Sequence, residues 1–156
     1  MNIRTITTGD YSQIINVVDD WWGGRAMRDM LPKLFFTHFQ NTSFIADQTG
    51  ERIGFLIGLL SQTYLDEAYI HFVGVHPRYR NAGVGQMLYE RFFEVARGAG
   101  RHIVRCVTSP SNKTSIAFHR RMGFVTEQSE FEVDGIPIAP DYDGQGGHRV
   151  LFARHI

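Results

Sequence analysis

Val73-Gly74-Val75-His76-Pro77-Arg78-Tyr79-Arg80-Asn81-Ala82-Gly83-Val84-Gly85-Gln86 is the stretch on which the reading of this chain turns. It starts in an apolar run, passes through a proline turn and reaches Arg80-x-x-Gly83-x-Gly85. Beyond that point Val84, Leu88, Phe92 and Val95 recur at helical spacing. Glycines leave room for a ligand to approach the backbone closely. The first N–H groups of a helix have no internal partners and carry the positive end of its dipole. Together these features predict a site for an anionic phosphate group. Neither common nucleotide motif fits. A dinucleotide fold needs Gly-x-Gly-x-x-Gly directly after a strand, and a P-loop needs Lys-Ser/Thr where Gln86-Met87 follow Gly85. On these residues alone, a plain glycine-bearing turn capping an ordinary helix stays open.

Working outward, residues 2–6 read as a first strand. Thr7-x-x-Asp10 has capping-box spacing and opens a helix with Tyr11, Ile14, Ile15 and Val18 on one stripe, ended by Trp21-Trp22-Gly23-Gly24. A second helix is expected over Arg25 to Phe39, bent near Pro32. Ser43 to Asp47, a turn at 48–51 and Arg52 to Leu60 form a hairpin signal. Glu67 to Val75 is apolar on both faces and belongs in the middle of a sheet. Gly83 to Ala99 is a helix, Arg101 to Val107 a strand, Asn112 to Met122 a helix and Phe124 to Val133 a strand. The Gly/Pro-rich segment Asp134 to Gly147 then leads to a last strand, His148 to Arg154. The order describes one mixed α/β sheet domain over residues 1–156 with helices on its faces, and not strict βα alternation.

Bulk composition narrows the function classes. The 156 residues suffice for one domain with a sizeable core. Sixteen Lys and Arg balance sixteen Asp and Glu, so the basic excess of a nucleic-acid binder is missing. The longest apolar stretch, Ile53 to Leu60, falls far short of the roughly 20 residues that cross a bilayer. The N-terminus lacks the basic and apolar regions of a signal peptide. A lone cysteine, Cys106, allows no disulfide framework and favours a reducing compartment. A cytoplasmic protein without nucleic-acid or membrane partners is expected. Cys106 reads as a buried strand thiol, with a nucleophile as the alternative. The histidines show no zinc spacing with one another or with Cys106, so no metal is expected.

The pattern Arg80-x-x-Gly83-x-Gly85 after Val75-His76-Pro77 resembles the coenzyme A pyrophosphate loop of the GNAT superfamily of N-acetyltransferases. A second block, Asn112-Lys113-Thr114-Ser115-Ile116-Ala117-Phe118-His119-Arg120-Arg121-Met122-Gly123-Phe124, resembles that family's Asn-x-x-Ala-x-x-Phe-Tyr-x-x-x-Gly-Phe signature. The start of the chain and the element order agree over nearly the whole length. The resemblance implies the acyl-CoA N-acyltransferase (GNAT) fold: a mostly antiparallel mixed sheet, a splayed central strand pair and helices on both faces. It implies acetyl-CoA as co-substrate and is compatible with a homodimer. By position, the backbone of Val73, Gly74 and Val75 would pair with the pantetheine arm. Arg80 and the N–H groups of Asn81, Ala82, Gly83, Val84 and Gly85 would hold the pyrophosphate. Asn112 would contact the arm and Phe118 would pack beside it.

Transfer to an amine requires a neutral nitrogen, whereas a free alkylamine has a pKa of about 10.4. It also requires close approach to the thioester, a donor for the developing oxyanion and a proton for the departing sulfur. Family members often supply that proton from the tyrosine after the Phe118 equivalent. Here His119 stands in its place, either as an acid or merely as a polar residue on a helix flank, in which case water returns the proton. Several relatives carry a glutamate base where this chain has His71. Strand alternation places His71 on the face of Val73 and Val75, as a base or as a satisfied core histidine. Glu67 is a further candidate nearer the strand start.

By analogy the acceptor enters between Trp21, Trp22, Arg25 and Arg28 on one side and segment 134–147 on the other. Asp141, Tyr142 and Asp143 suit a cationic amine there, or are only a solvated loop. A small-molecule amine acceptor is the leading reading. Acetylation of a protein lysine or N-terminus is the second, and a non-catalytic coenzyme A-binding module the third.

Overall fold

The computed structural model describes residues 1–156. In chain order its strands are β1 (Asn2–Thr5), β2 (Phe44–Gln48), β3 (Glu51–Leu60), β4 (Glu67–Val75), β5 (Ile103–Thr108), β6 (Val125–Thr126), β7 (Glu132–Val133), β8 (Ile136–Pro137) and β9 (Val150–His155). The helices are α1 (Tyr11–Ile15), α2 (Val18–Trp21), α3 (Leu34–His38), α4 (Val84–Gly98) and α5 (Lys113–Arg121). The main sheet runs β1-β2-β3-β4-β5-β9-β6, and every neighbouring pair is antiparallel except β4–β5. β4 is therefore central, as its two apolar faces require.

Two clusters cover opposite faces. α4 buries Val84, Leu88, Tyr89, Phe92, Phe93 and Ala96 against Ala68, Ile70, Val104, Cys106 and Phe152, joined by Ile116 of α5. Burying each large side chain contributes about 1.5–3 kcal/mol. Across the sheet, Ile14, Ile15, Val18, Trp21 and Phe36 pack on Ile45, Phe55, Ile57 and Phe72. Cys106 lies in the first cluster and burial pushes its thiol pKa up, so it serves as an apolar filler.

The expected helix over 25–39 is largely absent. A short turn at Arg28–Met30 and the five-residue α3 stand in its place, because Pro32 and the two preceding glycines of positive φ interrupt the backbone ladder. The helix after Thr7 is likewise broken into α1 and α2 at Asn16–Val17. The expected strand 124–133 pairs with β9 only at Val125–Thr126. Its far end folds away as the β7–β8 hairpin, turned at Asp134 (φ 51°) and Gly135 (φ 77°).

The capping box at Thr7 forms, and its carboxylate does more than cap. Asp10 is fully buried and accepts from the Arg4 fork (2.9 Å each), Arg52 Nε (2.7 Å) and the Thr7 N–H (2.8 Å). Burial raises its pKa, but the Arg4, Arg52 and Thr7 hydrogen bonds outweigh that and hold it well below the usual carboxylate range. The network ties β1, β3 and the start of α1 together. Because the folded pKa is depressed, this stabilisation is complete above about pH 4 and lost as pH falls towards the folded value. Asp10→Ala leaves Arg52 without a carboxylate and Arg4 with Asp47 alone, and lowers the unfolding free energy at pH 7 by roughly 3–5 kcal/mol. Urea denaturation at pH 7 and pH 3 checks this, and the deficit shrinks at the lower pH.

Candidate active site

β4 and β5 pair only from Glu67↔Ile103 to Tyr69↔Arg105. Past that point β4 continues along β3 to Val75 and β5 along β9 to Thr108, so the two strands diverge and a wedge opens within the sheet. Val73 and Val75 edge this wedge. His76 donates to the Ile53 carbonyl at 2.8 Å, so by alternation Gly74 and Phe72 face β3 while the N–H and C=O of Val73 and Val75 face the opening.

The start of α4 lies at the wedge mouth. Met87 is the first residue whose N–H is donated within the helix, to Gly83 at 3.0 Å. None of the N–H groups of Asn81, Ala82, Gly83, Val84, Gly85 and Gln86 has a backbone acceptor outside the regular elements, and the helix itself offers them none. Positive φ at Asn81 (62°) and Gly83 (81°) turns these amides into one concave row, a nest for an anion. A Cβ on Gly83 would meet nothing within 4 Å, whereas one on Gly85 would sit 3.4 Å from the Phe118 ring and 3.8 Å from Val75. Val75, Gly85 and Phe118 are thus gathered at one place. The undonated amides are chemically suited to an anionic group, with Val75, Gly85 and Phe118 next to them. Asn112 caps α5 by accepting from Ser115 N–H at 3.1 Å, and α5 is thereby anchored at its N-terminus. Arg80 is exposed and lies in the turn before α4. Its guanidinium donates to the Trp21 carbonyl and, at 3.4 Å, to the Val75 carbonyl, tying the turn before α4 to the end of α2.

His71 requires a correction. Ile57 pairs with Phe72, but Gly58 pairs with Ile70, so His71 is the extra residue of a β-bulge. The bulge resets the alternation. Ile70, Val73 and Val75 lie on the α4 side, while His71 and Phe72 both lie on the α1–α3 side. His71 is therefore on the face opposite Val73 and Val75. Its ring stacks on Phe35 (4.6 Å) and Nε2 lies 2.7 Å from the Met30 carbonyl. A carbonyl only accepts, so Nε2 carries a proton.

His119 is buried, stacked on Phe152 at 4.8 Å. Nδ1–H donates to the Ser115 carbonyl (2.7 Å) and Nε2 accepts from the Tyr89 hydroxyl (2.8 Å). Burial lowers its pKa, only partly opposed by the Ser115 bond, and both nitrogens are engaged. This is the geometry of a neutral core histidine, and it does not suit the acid role considered from sequence.

On the α1–α3 side, Trp22 stacks on Phe72 (4.9 Å) and reaches the space above Gly74. Trp21 is buried against Phe55, and Arg25 is exposed. In segment 134–147, Asp141 is spent locally on Gly146 N–H (2.8 Å), Asp143 is held by Arg149 (2.8 Å), and Tyr142 is about half exposed. Tyr69 escaped notice in the sequence. Burial raises its phenol pKa well above the ordinary value, with Tyr142, Cys106 and Asp143 adding to the shift. The buried Glu67 is ion-paired with Arg105, which also reaches Glu127. The alternating pattern of β4 carries Tyr69, but nothing in the sequence marks the bulge that decides its neighbours. No group of three or more His, Cys, Asp or Glu side chains is arranged to hold a metal ion, and no helix is long and apolar enough to cross a membrane.

Comparison with known proteins places this arrangement. The model of the acetyltransferase (GNAT) family matches residues 11–124, and the chain belongs to that family. It is 28% identical over 109 residues to L-2,4-diaminobutyric acid acetyltransferase of Nocardia farcinica, a match covering 67% of this chain and 56% of the relative. The matched part thus spans about half the length of that curated relative. Among solved structures, Ard1 from Thermoplasma volcanium superposes with a TM-score of 0.78 at 21% identity, covering 99% of this chain and 97% of the other. Diaminobutyrate acetyltransferase EctA from Paenibacillus lautus, in complex with L-2,4-diaminobutyric acid and coenzyme A, gives 0.70 at 16% identity over 97% and 92%. These two show the same fold.

The neutral His119 has a consequence for stability. Its folded pKa is depressed, so its contribution is complete above about pH 6.5 and is lost as pH falls, when the unfolded imidazole takes up a proton that the folded one resists. Urea unfolding at pH 8 and pH 5 is expected to show a larger stability loss for the native chain than for His119→Phe.

Proposed function

We propose that this chain is an N-acetyltransferase carrying an acetyl group from acetyl-CoA to a primary amine of a small molecule, by direct attack within a ternary complex. The observation that carries the reading is the row of undonated amides from Asn81 to Gln86 at the mouth of the β4–β5 wedge. Unpaired donors of that number are costly unless water or an anion satisfies them, and the diphosphate of coenzyme A matches their row.

Acetyl-CoA supplies the activated thioester, and the residues of this chain orient and assist. The amides of Asn81 to Gln86 grip the diphosphate. Val73 and Val75 align the arm through their backbone groups, and a backbone N–H of the 73–75 stretch serves as oxyanion donor. Holding the two reactants together in this way can supply several kcal/mol of the barrier. The amine approaches from the opposite face, where the bulge has put His71. With Nε2–H fixed on the Met30 carbonyl, Nδ1 of the neutral ring is the nitrogen left to take the amine proton, directly or through water. His119 positions α5 through Ser115 and Tyr89, and water returns the proton to sulfur. The name of the Nocardia relative supports an amino acid or similar small amine as acceptor.

Calorimetric titration with acetyl-CoA and a thiol-release assay over an amine library test the reading. Gly83→Glu puts a carboxylate among the amides and is expected to weaken acetyl-CoA binding roughly a hundredfold or more. Unchanged affinity would remove the anion site from the account. His71→Phe is expected to lower kcat on the order of a hundredfold with acetyl-CoA affinity retained. A wild-type rate in that variant would strip His71 of its base role.

A further inference from the structure

The wedge depends on the bulge, and the bulge has an anchor on its far side. The β3 residue facing it is Gly58, where the register slips from Ile57↔Phe72 to Gly58↔Ile70. Regular pairing of β2 with β3 stops at Phe44↔Leu56, so no strand of the sheet continues opposite Gly58 on the β2 side. Two buried hydroxyls take over. Thr42 Oγ1 donates to the Gly58 carbonyl at 2.6 Å, and Ser43 Oγ accepts from the Gly58 N–H at 3.2 Å and lies 3.3 Å from the same carbonyl. Thr42 and Ser43 are two of the few buried polar residues of the chain, and Ser43 has no exposed surface.

Gly58 cannot be replaced from within. A Cβ there would lie 2.3 Å from the Phe92 ring and 2.9 Å from the Thr42 carbonyl. β3 is therefore pressed against α4 at this residue, and its position along the sheet is set by the two hydroxyls instead of a neighbouring strand. Resting on the acetyltransferase reading above, we propose that Thr42 and Ser43 are positioning residues for acetyl transfer. They clamp Gly58, hold the β3 side of the slip, and so keep His71 as the extra residue of β4. A one-residue relaxation of that register would exchange the faces of β4 beyond the slip. Val73 and Val75 would no longer present their backbone to the wedge from the α4 side, and His71 would leave the acceptor side. The clamp does not touch substrate. It acts through β3 on β4.

The test uses Thr42→Val, which keeps shape and removes the hydroxyl, Thr42→Ser, which restores it, Ser43→Ala, and Ile14→Val as a core control away from the clamp. Thermal midpoints, acetyl-CoA affinity and steady-state constants are measured for each on the full chain. Thr42→Val and Ser43→Ala are expected to lose roughly ten- to a hundredfold in kcat, with the KM for amine changed much less. Thr42→Ser is expected to recover most of the rate, and Ile14→Val to keep it at a similar loss of thermal midpoint. A kcat loss in the clamp variants no greater than in Ile14→Val, or no recovery in Thr42→Ser, overturns the proposal. Should the native chain bind acetyl-CoA but acetylate no amine, the functional reading falls while the clamp is still judged by affinity. Weakened acetyl-CoA binding in Thr42→Val, restored in Thr42→Ser, supports it, and unchanged affinity overturns it. If one clamp variant does not fold, the other decides the matter by the same measurements, with a lowered kcat or weakened acetyl-CoA binding expected and native values of both overturning the clamp.

Discussion

A parallel strand pair that stops early is the constraint on which this molecule depends. β4 and β5 share three residue pairs and then part, each keeping its other neighbour. An interior edge with unpaired N–H and C=O groups is normally a liability in a sheet. Here it is confined to the middle of the sheet, with α4 starting at its mouth and α5 capped by Asn112 nearby. The undonated amides of the α4 turn lie at its mouth, beside clusters that are apolar.

The bulge at His71 gives the wedge two chemically different sides. Towards α4 lie Val73, Val75, Gly85 and Phe118, a narrow apolar channel with amides at its head. Towards α1–α3 lie His71, Phe72 and Trp22, with Tyr69 and the 134–147 loop beyond. Under the function proposed above, an anionic, extended donor and a compact amine would occupy these different surroundings. A single inserted residue separates them more economically than any side-chain substitution, because it moves every later side chain to the other face.

Buried polar groups away from the wedge hold this frame. Asp10 joins the first strand to β3 through two arginines, Thr42 and Ser43 satisfy Gly58, and Tyr89 with His119 ties α4 to α5. Each is fully partnered, as low-dielectric interiors demand. His119 belongs to this group by its burial and its two hydrogen bonds, although its position in the chain is that of an acid in related proteins.

Much of this was legible in the amino-acid sequence. The central strand 67–75, the α4 and α5 helices and the glycine turn between them follow from apolar periodicity, from glycine at positive φ and from a capping asparagine, all of them local properties. The row of undonated amides is local too, since six consecutive backbone N–H groups need only a turn and a helix start. What the tertiary structure decided is non-local: on which face His71 lies, whether His119 meets solvent or Tyr89, where Arg80 points, and how little of 124–133 remains in the sheet. The face of β4 depends on a slip against Gly58, and Gly58 on Phe92 and two hydroxyls from the turn that precedes β2. Alternation in a sequence carries no mark of such a slip, because the bulged residue is chosen by the partner strand and not by its own side chain.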